Sequence, residues 1–102
     1  MEIRIEWSEL AEKQLKDIYG YFSLQASPRV ANRIVKKIVE SVEVLYTVPF
    51  SGQKEELLSR YAEDFRYLVE GNYKIIYWNY NELITIASVF DCRQNPDKLK
   101  VL

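Results

Sequence analysis

Three short runs, residues 65–69 (FRYLV), 73–78 (YKIIYW) and 83–90 (LITIASVF), constrain the fold of this chain most. They are dense in Phe, Tyr, Ile, Val and Trp, the residues that suit a pleated, half-buried surface. Between them, Gly71-Asn72 and Tyr80-Asn81 each fit a two-residue hairpin loop. The spacing predicts three consecutive antiparallel strands. With both loops two residues long, Arg66 lies opposite Tyr77 and Tyr77 opposite Ile84, while Ile75 faces Leu68 on one side and Ile86 on the other. One face then collects Arg66, Leu68, Tyr73, Ile75, Tyr77, Ile84, Ile86 and Ser88. The other collects Phe65, Tyr67, Val69, Lys74, Ile76, Trp78, Leu83, Ala87 and Val89. Both faces are partly apolar, so a face left uncovered is expected to serve as an interaction surface.

The sequence ahead of these strands supplies the cover for one face. Residues 2–7 (EIRIEW) alternate strictly, Ile3, Ile5 and Trp7 against Glu2, Arg4 and Glu6, as a half-buried strand does. Ser8 is placed to cap a helix, and Glu9 and Glu12 suit its positive end. Trp7, Ala11, Leu15, Ile18 and Phe22 then step at helical spacing to about Leu24. Ser27-Pro28 restarts the chain as cap and first helical position. Ala31, Ile34, Val35, Ile38, Val42 and Leu45 form a second apolar stripe, which Pro49 ends. The short link makes the two helices, about 8–24 and 28–48, an antiparallel hairpin. Residues 49–63 lack a period; Pro49, Ser51 and Gly52 signal a turn, and one helical turn fits within 55–61.

The predicted architecture is therefore α+β: one domain over residues 1–102, a small antiparallel β-sheet with an N-terminal strand and a two-helix hairpin packed on one face, in the order β-α-α-β-β-β. The first strand is expected beside a strand that is not its neighbour in sequence.

Composition removes many kinds of chemistry. The 102 residues contain no histidine and one cysteine, Cys92. A Ser-His-Asp triad, a Cys-His pair, a histidine metal site and a zinc ribbon are all excluded. Three glycines leave no room for a phosphate-binding glycine loop. No cofactor or metal is expected, and any acid-base group must be Tyr, Lys, Arg, Asp or Glu. No apolar run approaches a membrane span. Met1 leads directly into a strand, so the expected location is cytoplasmic. A net charge of −1 does not advertise a nucleic-acid binder. Charge is nevertheless uneven. Residues 27–48 hold Arg29, Arg33, Lys36 and Lys37 against Glu40 and Glu43, whereas residues 1–26 hold Arg4, Lys13 and Lys16 against five carboxylates.

Several segments resemble, in order, those of the RelE/ParE superfamily of bacterial type II toxins. Trp7-Ser8, Ala11, Leu15 and Ile18 look like its W-[ST]-x-x-A-x-x-x-L-x-x-I opening. Pro49 and Gly52 are similar to its P-x-x-G. Phe65-Arg66-Tyr67-Leu68 and Tyr73-Lys74-Ile75-Ile76-Tyr77 resemble its FRxL and Y[RK]IIY strands, and Val89 to Arg93 its closing V-x-x-x-R. The resemblance covers nearly the whole chain. It implies a growth-inhibiting toxin of a plasmid-stabilisation type system, with a cognate antitoxin as partner and a homodimer as an open possibility.

Ribonuclease members of that superfamily cleave messenger RNA on the ribosome without a metal. If this chain is an enzyme, it is such an endoribonuclease, and the resemblance makes Arg93, Lys74 and Arg66 the candidate catalytic residues. A guanidinium fits a phosphate through two hydrogen bonds and stabilises charge developing there. Structural roles stand beside these: Arg66 satisfied by Tyr77 or a carboxylate, and Lys74 solvated on its strand. After Arg93 the chain reads QNPDKLKVL, without the Tyr or His that the ribonuclease members commonly carry there. A phenol near its ordinary pKa is a poor base at neutral pH. The resemblance therefore favours the ParE-like branch, a binding protein associated with poisoning DNA gyrase. The alternatives are the ribosome-dependent ribonuclease and a degenerate member that only binds its partner.

Overall fold

The computed structural model describes residues 2–99 and 101. Strand β1 (Arg4–Trp7) leads into helix α1 (Glu9–Gln25), whose N-terminus is capped by the Ser8 hydroxyl accepting from the Ala11 N–H. Ser27 caps α2 (Pro28–Ser41) in the same way, through the Val30 N–H. The predicted second helix is shorter than expected: from Val42 to Tyr46 the chain tightens into a 3-10 helix. The Ser41 hydroxyl, hydrogen-bonded back to the Ile38 carbonyl, marks the change. Strands β2 (Gln53–Lys54), β3 (Arg66–Glu70), β4 (Tyr73–Tyr80) and β5 (Leu83–Asp91) follow.

The sheet has five strands in the order β1-β5-β4-β3-β2. As expected, β1 lies beside a strand distant in sequence, and it runs parallel to β5, so the sheet is mixed. The two-residue β2 is an additional edge that the sequence did not signal. Gly71, at positive φ, and Asn72 form the first hairpin loop as expected, and Arg66 does lie opposite Tyr77.

The second hairpin differs from the expectation. Its loop is Asn81-Glu82, with Asn81 in the left-handed region at φ 56°, so Tyr80 pairs with Leu83. Tyr77 consequently faces Ile86 and not Ile84. A bulge then sets Ile76 opposite Ser88 and Ile75 opposite Val89, leaving Ala87 extra. The inserted residue moves Val89 to the helix-covered face. α1 holds the bulge from above. The Ser8 hydroxyl donates to the Ala87 carbonyl at 3.0 Å, and the Gln14 side-chain oxygen accepts from the Val89 N–H at 2.6 Å and from the Ser88 hydroxyl at 3.3 Å. These bonds satisfy groups that the bulge removes from the ladder.

Two cores result. Beneath the helices, Ala11, Ile38, Val42 and Leu45 meet Tyr73, Ile75, Tyr77, Ile84, Ile86 and Val89. The opposite face was expected to stand open, and it does not. Leu58 and Phe65 from the segment after β2, with Leu99 and Val101 from the tail, bury Ile76, Ala87 and Phe90 there. Tyr61, Tyr67 and Trp78 pack at its rim.

Candidate functional site

An open cleft of about 490 Å³ lies between the C-terminal half of α1 and the end of β5, lined among others by Asp17, Tyr21, Tyr73, Asp91, Arg93 and Lys98. The turns of α1 place Asp17 and Tyr21 on one side of it. Tyr73 enters from the start of β4, opposite Asp91 across the ladder. Asp91 in turn fixes Arg93. Its carboxylate accepts from the Arg93 backbone N–H at 2.9 Å, from Nε at 3.0 Å and from Nη2 at 2.8 Å.

That fork holds the Asp91 carboxyl below its ordinary pKa and raises the guanidinium of Arg93. The Tyr73 phenol moves the other way. Burial raises it, the Asp91 charge adds to the shift, and Arg93 only partly opposes it. Tyr73 therefore stays protonated at neutral pH and serves the cleft as a neutral hydrogen-bonding group. Arg93, although 60% exposed, has its charge locally balanced.

Arg66 and Lys74 are elsewhere. Arg66 sits on the helix side of β3 near the β2 edge, 3.0 Å from the Asp64 carboxylate, donating to the Gly52 carbonyl and lying over the Phe50 ring. Lys74 projects from the opposite face. It donates to Glu55 Oε2 at 2.7 Å and stands 4.3 Å from the centre of the Tyr67 ring. The carboxylate of Glu55 is buried and also accepts from the Leu57 N–H. Lys74 thus fastens the segment after β2 to the sheet.

The structure places the three basic candidates on two faces and pairs each with its own carboxylate. Tyr21, Asp17 and Gln14 were not singled out as site residues from the sequence. Their signal was helical spacing, the step from Gln14 to Ile18 and from Asp17 to Tyr21 along α1. Gly52 gains a physical reason as well. Its N–H donates to the buried Tyr77 hydroxyl at 2.9 Å, and an added Cβ would lie 2.6 Å from that oxygen and 2.8 Å from the Tyr67 carbonyl.

The family model for the ParE toxin of the type II toxin–antitoxin system parDE matches residues 5–96. The chain belongs to the ParE toxin family. A solved chain described as the chromosomal ParDE TA system from P. aeruginosa superimposes with a TM-score of 0.70 at 22% identity, covering 85% of this chain and 92% of that one. It shares the fold. No curated protein matches the sequence. As a ParE-family member, the chain is the toxin of a type II toxin–antitoxin system, and that context supports an antitoxin partner. Among the described residues, no helix is long and apolar enough to cross a membrane.

Proposed function

We propose that this ParE-family chain is a cytoplasmic toxin that arrests growth by binding a large target, DNA gyrase, and that a cognate antitoxin holds it inactive. The observation that carries this reading is the separation and neutralisation of the basic candidates. A phosphoryl-transfer site needs converging, uncompensated positive charge. Here Arg93, Lys74 and Arg66 are balanced by Asp91, Glu55 and Asp64 respectively. The surface for the antitoxin follows from what remains exposed. Tyr46, Val48 and Phe50 after α2, and Tyr21 and Leu24 at the end of α1, leave apolar side chains in water. A partner segment with apolar anchors would cover them.

The alternative, a ribosome-dependent ribonuclease, draws support from the Tyr73 phenol and Arg93 lining one cleft. Expression from a tight promoter separates the two, with plasmid supercoiling and total RNA sampled through the arrest. Lost supercoiling with intact mRNA is the expected result. Rapid mRNA cleavage that Arg93→Ala abolishes in a folded protein would replace the gyrase reading with the ribonuclease. Normal growth with folded protein would favour a member that only binds its partner.

A further inference from the structure

We infer that the open edge of β1 is a self-pairing surface, through which two copies of this chain join their sheets about a two-fold axis at Ile5. β1 is the outermost strand on its side of the sheet. Ile3, Ile5 and Trp7 are only partly buried, whereas Ile84 and Ile86 on the adjoining strand are fully buried. The missing cover is therefore along the edge. The backbone is open in the same direction. Arg4 donates its N–H to the Glu82 carbonyl and Ser8 donates to the Ile86 carbonyl, so alternate residues Arg4, Glu6 and Ser8 direct their backbone groups at β5. Ile5 and Trp7 therefore direct theirs outward.

An exposed strand edge is a template for another strand. The charges of β1 name the occupant and its register. In an antiparallel pair centred on Ile5, the two Ile5 residues exchange N–H···O bonds, and Ile3 of each copy meets Trp7 of the other. Arg4 of each copy then stands opposite Glu6 of the other, in the closer-spaced type of pair. Both ion pairs are made by the same operation, as a two-fold interface requires. The slip that pairs Ile5 with Trp7 would set Glu6 against Glu6, so charge selects the register. Among the described residues, the helix nearest this edge stands back from it. α1 lies over β5. Two such helices would stand about 14 Å apart, three strand spacings, leaving room for Ile3, Ile5 and Trp7 of both copies between them. The opposite edge, β2, is two residues long and offers no such surface.

Sedimentation velocity over a concentration series tests this, on the purified protein and on Arg4→Glu, Glu6→Arg and the double variant. Both side chains are exposed, and circular dichroism confirms the fold of each variant. The wild-type protein should dimerise. Each single variant should weaken the dimer by about tenfold or more, because two symmetric pairs pass from attraction to repulsion. The double variant should restore it. A wild-type protein that stays monomeric at every concentration would overturn the proposal. So would a dimer indifferent to the single changes, or one the double variant fails to restore. The result is independent of the growth assay, so either reading can fail alone.

Discussion

The two faces of the sheet are filled by different kinds of chain. Under the helices, α1 and α2 deliver Ala11 and Ile38, and the 3-10 turn after α2 delivers Leu45, onto Ile75, Tyr77, Ile84 and Ile86, all 0–1% exposed. On the other face, an irregular segment and the tail supply Leu58, Phe65, Leu99 and Val101, which keep 2–9% exposure, around a rim of partly open aromatics. The first core combines a large apolar area with the bonds of Ser8 and Gln14 to the bulge. The cover of the second is also joined to the sheet by an ion pair, Lys74 with Glu55. A face without a helix is here closed by short pieces of chain, with an ion pair between cover and sheet.

The comparison can be broken from either side. Ile86→Ala hollows the helix-covered core and should cost about 4 kcal/mol in denaturant unfolding, since the surrounding elements are too regular to collapse into the gap. Lys74→Ala leaves the Glu55 carboxylate buried beside an apolar cover. It should cost about 3 kcal/mol, with faster hydrogen exchange concentrated in residues 55–65. Exchange that accelerates evenly across both faces would show that the pair does not act on the cover alone. Gln14→Ala removes the acceptor of the Val89 N–H and should cost about 2 kcal/mol. A loss indistinguishable from zero would mean that another group replaces it.

The smallest effect is a matter of pH. Burial raises the Tyr73 phenol above its ordinary value of 10.0. The folded state therefore holds that proton more tightly than the unfolded chain does. The associated stability is fully present below the ordinary value and is lost as pH rises through the folded one. Tyr73→Phe should flatten the alkaline limb of a stability-against-pH curve. An unchanged limb would assign the loss to other groups, Tyr77 among them, whose phenol burial also raises.

Much of this was legible in the sequence. Ser8 and Ser27-Pro28 marked the helix starts, helical spacing gave the stripes, and Gly71-Asn72 gave the first hairpin. The second hairpin misled because Tyr80-Asn81 and Asn81-Glu82 both place Asn81 at a loop position, and only the left-handed backbone of Asn81 in its observed setting selects between them. The bulge left no mark, because Ile84, Ile86, Val89 and Phe90 are apolar on either parity. The cover of the second face was hidden for a related reason: residues 49–63 have no period, so Leu58 carried no signal, and Leu99 and Val101 alternate in a tail read only for its polar residues. For the candidate site, Asp91 stands two residues from Arg93 and was visible beside it. Glu55 lies 19 positions from Lys74, and only the fold brings the two together.

The bulge at Ala87 has a consequence for how this gene can change. Before it, β5 is read in one frame, in which Ile84 and Ile86 point to the helices; after it, Val89 takes that direction and Phe90 the reverse. The extra residue is a punctuation mark between two messages written on one strand. Deleting it would exchange inside for outside through Asp91, and with it the position of everything that follows. Ala87 itself is buried in the second core, so what this place demands of the chain is a small residue and an unchanged length.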